Sequence, residues 1–450
     1  MTERIKDLID AKQYTMLRQE LLEMNEVDIA TFLEELEHEE RFKIFRLLPK
    51  DIAADVFAYF DIETGQMIIS SLSDNEAKNI IDNLYADDAA DLLEEMPANV
   101  VKRLLANASP ETRRDINQLL QYPDDSAGSI MTVEFVDLKA NLTALQALSK
   151  IRHVGVDKET INTCYVLDEK RKLIGTVSLR RILLADTEKL LEDIMDDNFI
   201  AVNTLADQEA VVHMFQKYDL DSMPVVDSEN RLVGIITVDD VVDIMQQEAT
   251  EDIEMMAAII PGEKPYLKTS VWDTWKSRIP WLLILMFSSA FTGKIITAFE
   301  GALAGALVLT AYIPMLMGTG GNSGGQSSVT IIRALSLDEV GMKDIFRVIW
   351  KETRVALLCG ITLAAGNFVK MMIFDRGDMG DLSIMAVSLV VSLALVVSVL
   401  CAKIVGCILP ILVKRIGLDP AVMASPLITT IIDVLSLILY FVFAMAILPI

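Results

Sequence analysis

Three spacings of apolar residues follow one another along the chain. From residue 1 to about residue 128, apolar positions recur at three- and four-residue intervals, interrupted by Pro49, Pro97, Pro110 and Pro123. This is the spacing of short amphipathic helices that each bury one stripe. Within it, KDIAADVF from Lys50 and DDAADLLE from Asp87 share an acidic-x-Ala-Ala-Asp core, which suggests a small helical repeat or right-angled bundle. From Ile130 the pattern changes to short β-branched runs alternating with helical segments, as α/β units require. Beyond residue 270 come five apolar segments, roughly 279–299, 301–331, 355–374, 382–412 and 421–450, each long enough to cross about 30 Å of hydrocarbon.

The middle pattern repeats without a gap. VLDEKRKLIGTVSLRRIL from Val166 matches VVDSENRLVGIITVDDVV from Val225: a strand, an acidic turn, a second strand ending in Gly175 or Gly234, then Ser178 or Thr237 opening a helix. The phrases SIMTVEFV and DIMDDNFI introduce the two copies. Over about 120 residues this resembles a tandem pair of CBS domains, which implies two α/β modules packed pseudo-symmetrically.

Charge divides the chain along a different line. Residues 1–270 hold 54 acidic and 27 basic residues, residues 271–450 hold 11 and 13, so the net charge of −25 comes from the first part. An acidic surface excludes nucleic acid as the natural partner, because phosphate binding needs basic residues, and it suits cations. The four cysteines form no CxxC pair, and the start, MTERIKDLIDAK, has no apolar core of a signal peptide. A cytosolic N-terminus is therefore expected. With it inside, the loops bearing Arg333, Lys343, Arg347, Lys351 and Arg354 and then Lys414 and Arg415 fall inside, the acidic loop DRGDMGD falls outside, and so does the C-terminus, in keeping with the positive-inside rule.

Two polar features stand out in the apolar part. TTIIDVLSLILYFVFAMAIL, from Thr429 to Leu448, carries one charge, Asp433, and a charge at the middle of a spanning helix costs about 2.5–3.5 kcal/mol on insertion scales. Packing against a neighbouring helix is one explanation. A cation site is the better one, because Lys294, Lys370 and Lys403 are the only cationic candidates in the spans and each could snorkel or pack elsewhere. A two-fold axis beside the last helix would set two Asp433 side chains face to face, holding a hydrated hard ion such as Mg²⁺ through its water shell. Thr429, one turn earlier, and Ser425, before Pro426, could add oxygens. The second feature is GTGGNSGGQSS, Gly318 to Ser328. Small residues permit close helix packing, whereas Asn322 and Gln326, four apart, share a face that could line a pathway; both readings stand.

The whole chain resembles the MgtE family of magnesium channels: an acidic helical N-domain, a CBS pair, five spans, GTGGNSGGQ in the second, and a Pro-led last helix with an aspartate. The resemblance implies a multi-domain membrane protein with an all-α cytosolic N-domain (1–130), CBS domains at 131–193 and 194–245, a plug helix and linker at 246–276, and a five-helix transmembrane domain at 277–450 forming a homodimeric pore in the plasma membrane. It implies a Mg²⁺ channel, not an enzyme, that could also pass ions such as Co²⁺. Asp433 matches the family's pore aspartate, while Ser425 stands where family members can carry Asn. Regulatory Mg²⁺ would bridge Asp87 and Asp91, Glu209 and Asp219, Asp240 and Asp243, and Glu248, Glu251 and Asp252. Without the resemblance, the acidic run VDDVVDIMQQEATEDIEMM would read as a solvated helix face. CBS pairs often bind adenosine nucleotides through Ser/Thr-x-x-Asp. Thr237 and Asp240 satisfy that pattern and imply an ATP site, but the first copy reads Ser178-Leu179-Arg180-Arg181 and lacks the carboxylate. Two other classes compete: a proton- or Na⁺-coupled carrier titrating Asp433, and a membrane-anchored nucleotide sensor, which leaves Asp433 and GTGGNSGGQ unexplained.

Overall fold

The computed structural model describes residues 2–94, 96–262, 264, 266–375, 382–423 and 425–448, with backbone alone at 2, 3, 51, 302, 303, 305, 423 and 425. Residues 376–381 of the DRGDMGD loop and the Ser425 side chain lie outside what is described. The chain divides into two compact units, Met1–Met245 and Gln246–Ile450.

The first unit opens with ten short helices: α1 (Thr2–Asp10), α2 (Tyr14–Leu21), α3 (Glu26–Glu34), α4 (His38–Phe45), α5 (Lys50–Ala58), α6 (Ile62–Ser71), α7 (Asp74–Asn83), α8 (Ala86–Glu94), α9 (Ala98–Asn107) and α10 (Pro110–Leu119). Their starts are written in the sequence. Asn25, Asp61, Ser73 and Ser109 each accept a backbone N–H of the first turn of α3, α6, α7 and α10, satisfying donors that a helix start leaves unpaired. Pro49 and Pro97 stand immediately before α5 and α9, and Pro110 opens α10. In the weak repeat, Ala53 and Ala54 of α5 and Ala89 and Ala90 of α8 are all buried, so the shared Ala pair is the small face on which each helix packs.

Each α/β copy builds a three-stranded sheet. In the first, β1 (Asp137–Lys139) runs parallel to β2 (Thr163–Leu167), which pairs antiparallel with β3 (Leu173–Ser178); helices α11 (Ala144–Val154) and α12 (Leu179–Leu184) accompany them. In the second, β4 (Val202–Asn203), β5 (Ser222–Val226) and β6 (Leu232–Thr237) repeat the order, with α13 (Gln208–Tyr218) between β4 and β5. The acidic turns are the same device twice. Asp168 Oδ1 accepts from the Lys170 and Lys172 amides, and Asp227 Oδ1 accepts from those of Glu229 and Arg231. The two sequence signals, the introductory Met phrase and the strand glycine, prove to be two sides of one contact, and it is crossed. A Cβ at Gly234 would stand 2.6 Å from Met131 Sδ, and one at Gly175 2.7 Å from Met195 Sδ. The segment that introduces each copy therefore packs on the other copy, with Thr132 bridging to Ile235 and Asp196 to Thr176. Tyr165 Oη and Ser222 Oγ, 2.8 Å apart, tie β2 to β5. One hydrophobic core runs from the N-terminal helices through Ala127 and Met131 into Val211, Phe215, Met223 and Val225 of the second copy.

The expected plug helix at 246–276 is not a separate element. Helix α14 spans Val238–Met256, because no Gly or Pro interrupts that run before Pro261, and 271–276 already belong to the next helix. The division between the two units falls inside α14. In the second unit its last residues, Met255 and Met256, pack against Ile332 and Ala421. The long helices follow: α15 (Val271–Ala298), the short α16 (Glu300–Gly305), a 3-10 turn at Leu307–Tyr312, α17 (Ile313–Ser336), α18 (Ile345–Phe374), α19 (Ile384–Arg415) and α20 (Ser425–Ile447). Four helices among the described residues are long and apolar enough to cross a membrane: Val271–Ala298, Met342–Phe374, Ile384–Arg415 and Pro426–Ile447. The segment expected to cross at 301–331 differs. It is broken into α16, the 3-10 turn and α17, since Pro314 at the first turn favours a fresh helix start. At 24 residues α17 has the length, but GTGGNSGGQSS makes it polar.

Candidate functional site

Helix α20 carries Asp433, and its neighbours α17 and α19 hold it by close approach. A Cβ at Gly320 would stand 2.8 Å from Ser436 Oγ, one at Gly321 2.7 Å from Thr429 Cγ2, and one at Gly406 of α19 would fall on the Gly324 carbonyl. Gly320, Gly321, Gly324, Ser327 and Ser328 are buried, whereas Gly318, Asn322 and Gln326 are exposed. The two readings of the Gly-rich stretch thus occupy different faces of one helix: small residues pack inward, and the amide pair stands on an open face. Asp433 Oδ1 is buried and finds no hydrogen-bond partner among the described residues, an arrangement that costs free energy unless another group satisfies it. Thr429 lies one helical turn earlier.

None of the three lysines weighed as a counter-charge pairs with Asp433 among the described residues. Lys370 Nζ donates to Asp375 Oδ2 at 2.8 Å, and Tyr312 Oη donates to the same oxygen at 2.9 Å. Lys294 is exposed beside an apolar groove between α15 and α20. Lys403 is buried and engages Glu352 Oε2 at 3.7 Å and Ser327 Oγ at 3.2 Å, while Ser327 Oγ donates to Glu352 Oε2 at 2.6 Å. This buried triad was missed because Glu352 lies among the charges of a loop in the sequence, whereas α18 begins ten residues before the apolar run expected there and carries it into the helix.

In the first unit, a cavity of about 1950 Å³ is lined by carboxylates from α8, α14 and the loops of the first α/β copy, Asp87, Asp88, Glu134, Glu159, Asp239 and Asp240 among them. Their crowding shows in their protonation. Asp87 is held well above the ordinary carboxylate range by burial, then by Asp88, Asp240 and Glu159. Asp88 is pushed to about 7 by burial and then by Asp240, Asp91 and Asp239. Asp91, though its side chain reaches solvent, rises to about 6 through lost hydration, Glu94 and Asp240. Glu159 rises to about 8 through burial, Asp239 and Asp240. Asp240 rises to about 6 through burial, opposed by a hydrogen bond that Thr237 Oγ1 donates to its Oδ2 at 2.8 Å. The donors are all oxygens, the ligand type of hard cations, and among the described residues no three His, Cys, Asp or Glu side chains come close enough to hold one ion.

Of the residues the sequence suggested, the structure brings Asp87, Asp91, Asp240 and Asp243 to this region, Asp243 lining the cavity. Glu209, 3.7 Å from His213 Nε2, and Asp219, in a left-handed conformation (φ 50°) at the end of α13, are not among the described residues lining it. Glu248, Glu251 and Asp252 belong to the second unit. Sequence reasoning missed Asp88, Glu134 and Glu159, which lie far apart along the chain; the Glu159 amide bonds the Glu134 carbonyl at 3.0 Å, and only that fold brings them together. In the first copy Ser178 caps α12 by accepting from the Arg181 amide at 3.2 Å, with Arg180 and Arg181 exposed.

Three family models match along the chain: an MgtE intracellular N domain at residues 24–125, CBS domains at 127–188 and 191–247, and an MgtE divalent cation transporter at 313–443. They define the class, a membrane transporter of divalent cations joined to a helical intracellular domain and a CBS pair. A magnesium transporter MgtE of Thermus thermophilus is 37% identical over 428 residues, 94% of this chain and 93% of its own, and one of Bacillus subtilis is 32% identical over 424 residues, 94% and 92%. The chain belongs to the MgtE family of magnesium transporters, and its function is transport, not enzymatic catalysis. Among solved structures, the cytosolic domain of the Mg²⁺ channel MgtE in complex with ATP is 35% identical at a TM-score of 0.52, covering 54% of this chain and all of that one. The soluble part of a magnesium transporter is 30% identical at 0.53, covering 55% and 98%.

Proposed function

We propose that this transporter is a Mg²⁺-selective channel for magnesium uptake across the plasma membrane. It works as a homodimer with five membrane helices per chain, α15 and α17–α20, and also passes divalent ions such as Co²⁺. The domains divide at 1–130, 131–193, 194–245, 246–276 and 277–450, with the N-terminus and CBS pair cytoplasmic and the C-terminus outside. The observation that carries this reading is the buried, unpartnered Oδ1 of Asp433 in an otherwise apolar helix. A hydrated Mg²⁺ shared between two Asp433 carboxylates satisfies both, with Thr429, Ser425, Asn322 and Gln326 offering further oxygens to its waters.

The acidic unit closes the channel when cytosolic Mg²⁺ rises. Two like charges about 4 Å apart repel by roughly 4 kcal/mol at an effective dielectric of 20, and such repulsion adds to burial in raising the protonation of Asp87, Asp88 and Glu159. Mg²⁺ among Asp87, Asp91, Glu209, Asp219, Asp240, Asp243, Glu248, Glu251 and Asp252 turns repulsion into attraction, and by binding the closed arrangement better it shifts the population that way. ATP at Thr237 and Asp240 is supported by the ATP complex of a related cytosolic domain. The test of the pathway is rescue of a Mg²⁺-auxotrophic cell. The parent chain restores growth and Asp433→Ala does not; equal rescue would remove Asp433 from the mechanism.

A further inference from the structure

We propose that Ser327, Glu352 and Lys403 form a positioning clamp that sets the rotation of α17, and through it which divalent ions the pathway accepts. The three residues come from three helices, α17, α18 and α19. Each is buried: Ser327 is 2% exposed, Lys403 5% and Glu352 9%. Ionisable groups inside spanning helices are rare and pair with one another when they occur. Here the pair is neutral as a whole, so it neither adds a second charge to the pathway nor serves Asp433.

The clamp acts on the helix whose open face carries Asn322 and Gln326. Ser327 is the residue after Gln326 and the fifth after Asn322, so it points about 100° from the first and about 140° from the second around the helix. Around it, between Gly320 and Ser328, the inward face of α17 is glycine and serine, with Gly320, Gly321 and Gly324 close against α19 and α20. Such contact is close, but it presents a smooth surface with few directional bonds. The hydrogen bond from Ser327 to the Glu352 carboxylate, at 2.6 Å, is directional and charge-assisted, and Lys403 Nζ stands 3.7 Å from the same carboxylate oxygen while donating to Ser327 Oγ at 3.2 Å. Loss of the clamp leaves the packing in place and frees the helix to turn by a fraction of a residue. That changes the spacing of the Asn322 and Gln326 amides across the pathway, and so the fit to one hydrated ion over another. A buried ion pair adds little net stability over an apolar replacement of the same shape, so the clamp's effect is sought in arrangement rather than in melting.

The inference rests on the pathway reading above, and Asp433→Asn is measured alongside so that the two can fail separately. Purified full-length chains in liposomes are compared for the ratio of Mg²⁺ to Co²⁺ flux and for thermal stability. Ser327→Ala removes only a hydroxyl and should shift the flux ratio about 3-fold or more with little change in melting. The double variant E352Q/K403M leaves no orphaned charge and should shift the ratio at least as far. An unchanged ratio in folded Ser327→Ala, whatever the total flux, overturns the clamp. If the double variant fails to fold, Ser327→Ala decides alone. Loss of flux in Asp433→Asn with unchanged ratios overturns the clamp only; wild-type flux in Asp433→Asn overturns the pathway reading, and the clamp with it.

Discussion

The two units handle carboxylates in opposite ways. In Met1–Met245 several crowd together, partly buried, and burial followed by the charges of their neighbours lifts Asp88 to about 7 and Glu159 to about 8. On the long helices α18 and α20 and their ends in Gln246–Ile450, three are handled singly: Glu352 is paired with Lys403, Asp375 with Lys370, and Asp433 has one buried oxygen without a partner among the described residues. A crowd of repelling carboxylates responds to a cation by changing arrangement, which suits a sensor. A single unsatisfied carboxylate in a rigid setting responds by binding without rearranging, which suits a pathway. Packing supports the contrast, because α17 meets α19 glycine against backbone and α20 glycine against side chains, with no room for a Cβ.

The largest effect should come from unbalancing the membrane pair. Glu352→Gln alone or Lys403→Met alone leaves an uncompensated buried charge and should cost about 3–5 kcal/mol, seen as a lower melting temperature and less monodisperse protein. E352Q/K403M should recover most of that loss. Next, Gly406→Ala drives a methyl into the Gly324 carbonyl and should cost about 1–3 kcal/mol by overpacking, whereas the same change at Gly366, which has open space around it, should be nearly silent; thermal melting of both separates rigid packing from general intolerance to substitution.

A smaller effect concerns pH. Asp87, Asp88, Asp91, Glu159 and Asp240 titrate higher folded than unfolded, so between about 4 and 8 the folded state binds more protons through them and their contribution to stability falls as pH rises. In chelator, the cytosolic unit of the full chain should therefore melt at a lower temperature at pH 8 than at pH 5.5, and added Mg²⁺ should restore more stability at pH 8. A flat profile would mean that the crowding has no energetic consequence. The smallest effect is local: Ser73→Ala breaks the capping box with Glu76 and should cost about 1 kcal/mol in thermal melting without touching transport.

Much of the fold was legible because its signals are local. Ser73 and Glu76 announce a helix start, Asp168 and Asp227 announce equal turns, and the gap-free repeat announces two equal modules. The partners of Met131 and Gly234 were each visible but not their contact, since nothing along the chain says that introductory segments cross over. Asp433 was legible as a lone charge in an apolar run. Glu352 was not, because helix α18 extends past its apolar stretch, and a residue counted with a basic loop enters the packed interior. The chamber residues Glu134 and Glu159 escaped for a related reason: each is an ordinary surface glutamate in the sequence, and only the fold brings them to Asp88 and Asp240.

The central claim is a division of labour, in which Asp433 chooses the ion and the acidic unit decides when it passes. Patch recordings of a chain with Asp87, Asp91, Asp243 and Asp252 all changed to Asn test it most directly. The account predicts a channel that stays open at high cytosolic Mg²⁺ and keeps the parent's preference among divalent ions. Normal Mg²⁺ closure in that variant would contradict it.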